Sequence, residues 1–228
     1  MRELPSARKA RYMLRPKEPE PLMTNLDLLK GSDARLWDLI EQRTKPDADT
    51  DAIDQRIWDL FGERWAIMFT DLSGFSRQTA KFGVTHFLQI IHEKKKMLLP
   101  IVAAHDGILL KVEADSFLLI FRRPERALQC AIEMQRRCQL TNERRLPEEQ
   151  IILCLGIGYG DVLRVGDHDV WGREVNAASK LGEDTAKANE ILVTGAAHQE
   201  LGNVIGVRYE LLHETIPGSD VNFRCLYL

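Results

Sequence analysis

Two aspartates carry the first chemical signal in this chain: Asp71 in the run WAIMFTDLSGFS and Asp115 in GILLKVEADSFLLIF. An apolar run from Trp65 to Phe69 delivers Asp71 into a turn that contains Gly74. Residues 107–112 and 117–121 read as the two strands of a hairpin, with Asp115 at its bend. Taken singly, an aspartate in such a loop is more often a turn former or a helix cap. Two hard carboxylates on neighbouring strand ends are instead a site for oxygen-seeking divalent cations, Mg²⁺ or Mn²⁺. A pair of such ions about 3.5–4 Å apart clamps the attacking and leaving oxygens of a phosphoryl group in transfer.

Strands and helices must bring those two positions together, and the apolar pattern supplies them. Residues 1 to 23 are rich in Pro, Arg, Lys and Glu with few apolar anchors, which predicts a flexible tail. From residue 25 to 61 the pattern is helical, with Leu29, Leu36, Trp37 and Ile40 before a break at 44–51 and Ile53, Ile57, Trp58 and Leu60 after it. Two such short amphipathic helices are too small for a domain; they must pack on the body, on a second copy or on a partner. The spacing then predicts a strand over 65–71, a helix over 84–104, the hairpin, and a helix over 124–140 with proline in its first turn. A strand over 150–159, a glycine-punctuated stretch, a helix near 174–181 and a strand over 190–194 follow, with short elements at 207–212 and 223–228. The order β-α-β-β-α-β predicts an α+β, ferredoxin-like core whose mostly antiparallel sheet is flanked by helices. The expected division is an extension over 1–62, for regulation or dimer packing, and a catalytic domain over 63–228.

At 228 residues the chain is long enough to bury a full core. A net charge of -3 gives no global attraction to nucleic acid or an anionic membrane. No apolar run has transmembrane length, and the basic N-terminus lacks the apolar stretch of a secretory signal. Cys130, Cys138, Cys154 and Cys225 form no C-x-x-C pair, and three lie in apolar periodic segments, so buried reduced thiols are expected. These features together predict a cytoplasmic protein.

Three stretches, FTDLSGFS, KVEAD and DVWGREVNAASK, resemble in order the motifs of the class III nucleotidyl cyclases, the adenylyl and guanylyl cyclase family. The resemblance covers roughly residues 65–194 and implies cyclisation of a nucleoside triphosphate, most like a bacterial adenylyl cyclase. It implies that Asp71 and Asp115 hold two ions per site, Mg²⁺ or Mn²⁺, and that the turn Leu72, Ser73, Gly74 and Phe75 offers backbone N–H groups to phosphate oxygens. Lys111 and Asp169 fall at the base-reading positions. Adenine shows an acceptor at N1 and a donor at its 6-amino group, so an ammonium beside a carboxylate complements it, and ATP is the implied substrate. Without that context, Lys111 is a lysine snorkelling at a sheet edge. Asn176 falls where the family orients the ribose, its bland alternative being a helix cap; Lys180 falls where charge on the α-phosphate is stabilised. Metal and base-reading residues come from different protomers in this family, which implies a head-to-tail homodimer. A regulatory partner, if there is one, would meet the N-terminal helices.

The chain departs from the family pattern in four places. Lys180 stands where active members usually carry arginine, which keeps the charge but loses the planar fork. Ala114 stands for a usual glycine and is tolerable only if φ there stays negative. No lysine occurs in ETIPGSDVNFRCLYL to meet the triphosphate, which leaves Arg224 as a substitute, and the stretch from 160 to 169 is short. The rival expectation is a catalytically weak or inactive nucleotide-binding dimerisation module, and a third is a cyclase for GTP or a pyrimidine nucleotide.

Overall fold

A computed structural model describes residues 33–74 and 82–227. The tail expected over residues 1 to 23 and Leu29 lie outside those residues, as does Phe75. Two helices, α1 (Asp33–Arg43) and α2 (Thr50–Phe61), precede β1 (Gly62–Leu72). Then follow α3 (Val84–Ala104), the hairpin β2 (Ile108–Glu113) and β3 (Ser116–Phe121), α4 (Pro124–Asn142) and β4 (Leu153–Val165). The chain continues through β5 (Asp169–Trp171), α5 (Arg173–Ser179), a π-helical turn over Lys180–Thr185, β6 (Ile191–Thr194), α6 (Gly195–Leu201), β7 (Val207–Leu212) and β8 (Asn222–Tyr227).

The sheet order is β2-β3-β1-β4-β6-β8-β7, with β5 paired to β4. All its pairings are antiparallel except β4 with β6. The first six core elements, β1-α3-β2-β3-α4-β4, thus form the expected split arrangement. Pleating sends alternate residues to opposite faces. Ala66, Met68, Phe117, Leu119 and Phe121 face α3 and α4 in the main core. Trp65, Ile67, Leu118 and Ile120 form a second cluster with Val175 and Ala178 of α5 on the other face. On α3 the apolar stripe Phe87, Ile90, Ile91, Leu98 and Ile101 recurs at helical spacing and is buried. One charged residue, Lys94, occupies a position in that stripe.

The structure corrects the expected strand over 150–159. β4 runs to Val165, so Gly160, the first glycine of the stretch read as loop, lies inside it. A Cβ at Gly156 would sit 2.2 Å from the Ala178 carbonyl oxygen and 2.3 Å from the Gly182 nitrogen. Glycine there is what lets α5 and the π-helical turn lie directly on the sheet. Beyond Val165 the chain folds back as β5, with Val165 opposite Asp169. Helix α6 was not anticipated from the sequence.

The two N-terminal helices settle on the body. Leu36, Leu39, Ile57 and Phe61 close a small core against Val165 of β4, with Leu163 alongside. α2 ends at Phe61 and β1 begins at Gly62, so no loop separates them. All four cysteines are buried and free. Burial pushes Cys130, Cys138 and Cys225 up to about 12 and Cys154 to about 11, so these thiols stay protonated and inert.

Candidate active site

Asp71 sits at the end of β1 and Asp115 in the β2–β3 turn, next to the pairing of Thr70 with Phe117. The structure brings them together. Burial first, and the charge of Asp115 beside it, raise the Asp71 carboxyl to about 6. Ser116, the residue after Asp115, donates from Oγ to Asp71 Oδ1 at 3.4 Å. Asp115 is only 7% exposed, and its Oδ2 is buried without a hydrogen-bond partner. A buried, unpaired carboxylate oxygen is costly unless something positive completes it.

The turn that carries Asp115 corrects one expectation. Ala114 has φ +49°, in the left-handed region, where the sequence reading required a negative value. A side chain there costs about 1–2 kcal/mol, which glycine would avoid. The compensating contact comes from a residue the sequence reading missed. Lys94 is fully buried, and its ammonium donates to Thr70 Oγ1 at 3.1 Å and to the backbone carbonyl of Asp115. It also stands 4.4 Å from the centre of the Phe117 ring. Burial lowers Lys94 to about 8, with Asp115 and Asp71 opposing that fall. The sequence did hold a signal: of the three lysines in HEKKKM, Lys94 alone falls on the apolar stripe of α3.

Lys111 and Asp169 meet although 58 residues apart in sequence: Lys111 Nζ donates to Asp169 Oδ2 at 2.7 Å. Asp169 Oδ1 accepts the Val170 N–H at 2.9 Å. Both residues, with Asn176, line a cavity of about 190 Å³ walled by Phe69, Leu118 and the half-exposed Trp171. Ser116 reaches the same cavity, whereas Asp71 and Asp115 do not line it. Its volume is below the roughly 300–1,000 Å³ usual for ligand pockets, so this chain alone does not form a full-sized pocket there.

The remaining expected site residues lie apart from that cavity. Lys180 is exposed on the π-helical turn and pairs with Asp184 one turn on. Arg224, the candidate triphosphate contact, is held by Glu190 at 2.9 Å and by Glu210 at 2.8 Å on β7. In the turn read as a phosphate cradle, the Ser73 N–H donates to the Ile152 carbonyl at 2.9 Å. That N–H is not free for phosphate in this conformation. Gly74 has φ +86° with open space where a side chain would stand. Phe75 lies outside the described residues.

The carboxylate pair fits a hard divalent cation. Mg²⁺ is typically bound by one or two carboxylates and completes its shell with water and substrate phosphate, and the orphaned Asp115 Oδ2 supplies an oxygen with nothing else to bind. The described residues contain no cluster of three or more metal-ligating side chains, so Asp71 and Asp115 alone would be the protein's carboxylate ligands.

Protonation of Asp71 has a measurable consequence. Its folded-state value of about 6 exceeds the ordinary 3.8, so the folded chain binds this proton more tightly than the unfolded chain. Stability from this group is present at low pH and is lost as the pH rises between those values. In metal-free buffer, Asp71→Asn should therefore reduce the stability advantage of about pH 5 over about pH 7. An identical pH profile of melting temperature in both proteins would show that Asp71 is not the group titrating.

Residues 62–215 match the family model described as the adenylate and guanylate cyclase catalytic domain. The chain belongs to this family. It is 27% identical over 162 residues to serine/threonine-protein kinase pkn2 of Myxococcus xanthus, covering 70% of this chain and 19% of that protein. It is 29% identical over 144 residues to an adenylate cyclase of Streptomyces coelicolor, covering 63% and 35%. The matches therefore span about a fifth to a third of the length of these curated relatives. An adenylate/guanylate cyclase/hydrolase structure from Silicibacter pomeroyi superposes with a TM-score of 0.61 at 24% identity, covering 72% of this chain and 95% of that one. That likeness bears on the fold: the same mixed sheet flanked by helices.

Proposed function

We propose that this cyclase-family chain is an adenylate cyclase, converting ATP to 3′,5′-cyclic AMP and pyrophosphate in a head-to-tail homodimer. The observation that carries the reading is the Lys111–Asp169 pair at 2.7 Å inside a cavity shared with Asn176. Lys111 donates to adenine N1, and Asp169, with lone pairs beyond its two present bonds, accepts from the 6-amino group. Asn176 hydrogen-bonds the ribose. Asp71 and Asp115 of the partner chain hold Mg²⁺ or Mn²⁺, two ions per site. When bound, these ions acidify the ribose 3′-hydroxyl and neutralise the leaving β,γ-phosphates. The bond from O3′ to the α-phosphorus forms as the bond to the bridging oxygen breaks, and the hydroxyl proton passes to solvent. Lys180 reaches the α-phosphate by exchanging Asp184 for it, which its exposure on the surface permits.

The same reading makes residues 63–228 the catalytic domain and 1–62 an extension. No helix among the described residues is long and apolar enough to cross a membrane, and we place the enzyme in the cytoplasm. The exposed Trp37 and Trp58 on the N-terminal helices offer a surface for a regulatory partner.

The test is incubation of the purified chain with Mn²⁺ and each of the four common nucleoside triphosphates, with products identified by mass. Cyclic AMP should dominate. Lys111→Glu with Asp169→Cys should lower ATP turnover by more than it raises GTP turnover, because the pocket shape is not rebuilt. An unchanged preference for ATP in that variant would remove these residues from base recognition. The Lys180–Asp184 pair and the spent Ser73 N–H favour a second reading, a dimeric module that binds nucleotide without turnover. Tight ATP binding with no cyclic product would establish it.

A further inference from the structure

Among the described residues, the one fully buried lysine has no part in the family reading, and its contacts converge on the metal-site backbone. Lys94 projects from α3 into the main core, against the sheet face opposite Asp71. Its ammonium reaches Thr70 Oγ1 on β1, the Asp115 carbonyl in the hairpin turn, and the face of Phe117 on β3. Thr70 Oγ1 also accepts the Phe117 N–H at 3.2 Å, so one hydroxyl ties the helix to both strands. Thr70 precedes Asp71, and the Asp115 carbonyl directly follows Ala114, the left-handed non-glycine residue of the turn. A buried ammonium loses its water, so it holds the oxygens it has found firmly.

We infer that Lys94 is a positioning residue: it clamps the Asp115 turn in the left-handed conformation that Ala114 resists, and so sets Asp115 against Asp71 for metal binding. This rests on the assignment of the two aspartates as metal ligands. The clamp substitutes for the conformational freedom that a glycine at 114 would bring. It follows that the need for Lys94 depends on which residue stands at 114, a coupling that general loosening of the core would not produce.

The experiment titrates the full chain with Mn²⁺ alone and follows free Mn²⁺ by electron paramagnetic resonance. The proteins are the wild type, Asp71→Ala, Lys94→Met, Ala114→Gly, and Lys94→Met combined with Ala114→Gly. Methionine keeps the length and the packing of lysine and removes the ammonium. Deleting a nearby positive charge should by itself tighten cation binding, so a loss of affinity reports geometry and not charge. Lys94→Met should bind Mn²⁺ about 10-fold or more weakly, as partners that orient metal ligands typically do when removed. In the Ala114→Gly background the same change should cost within about twofold of nothing. If Lys94→Met alone does not fold, the double variant should fold and bind.

The outcomes separate the two assignments. Unaltered or tighter Mn²⁺ binding by Lys94→Met, with Asp71→Ala defective, overturns the clamp and leaves the metal site standing. An equal loss in the alanine and glycine backgrounds also overturns it, as does a double variant that stays unfolded. Mn²⁺ binding that is absent from the wild type, or indifferent to Asp71→Ala, overturns the metal assignment and the clamp with it.

Discussion

Asp115→Ala should yield a protein that melts no lower than the wild type in metal-free buffer, yet turns over ATP about 10³-fold or more slowly, the metal being worth several kcal/mol of transition-state stabilisation. The two halves of that result have one cause. Asp115 is buried with Oδ2 unpaired, and its charge disfavours ionisation of Asp71. Removing it relieves an unfavourable arrangement in the folded state, and in the presence of nucleotide it deletes a proposed metal ligand. Asp71→Ala should behave alike. Sites that are costly to stability and necessary to activity are the usual form of this trade-off. The measurement is kcat with saturating Mn²⁺ beside a thermal melt of each variant. Wild-type turnover in either would end the two-carboxylate assignment.

Mixing the two inactive proteins Asp71→Ala and Asn176→Ala should restore about one quarter of wild-type activity after full subunit exchange. Half of the dimers are then heterodimers, and each holds one intact site and one doubly broken one. The single chain motivates the expectation, since Asn176 lines a cavity that neither Asp71 nor Asp115 reaches. Its volume of about 190 Å³ also falls short of a full-sized pocket. Exchange is followed independently by mass spectrometry of differently tagged chains. Complete exchange with no recovered activity would mean that each site is built within one protomer.

Several elements were legible in the sequence because local signals agreed with tertiary packing. Helix α3 was read at residues 84–104, the bounds observed, since its apolar stripe keeps helical spacing on both sides of Lys94. The β2–β3 hairpin was legible from two apolar runs around a polar turn. What escaped depended on contacts distant in sequence. The glycine-punctuated stretch after Tyr159 read as a loop because what holds its first residues in β4, pairing with β1 from Gly160 to Leu163, exists only after the chain has folded back. Lys94 is one of three consecutive lysines and went unnoticed in the sequence; its place in the stripe and the oxygens of Thr70 and Asp115 make it a buried cation. At Ala114 local preference argued for negative φ, and the hairpin imposes +49° instead. Lys111 and Asp169 were paired through the family resemblance, whereas their physical meeting requires β5 to fold back along β4.

The two carboxylates stand on supports of unequal stiffness. Asp71 ends an 11-residue strand, about 35 Å of extended chain, that is hydrogen-bonded along its length to β4 and enters directly from α2. Asp115 hangs on a two-residue turn whose restraint from outside the hairpin is one lysine. Thermal motion at the site should therefore be lopsided, with Asp71 nearly stationary and the gap between the oxygens breathing through the turn. The separation that the proposed cations would bridge is thus governed by the compliant partner. Substitutions around residues 113–116 should tune which ion fits, while comparable changes along β1 should instead loosen the sheet as a whole.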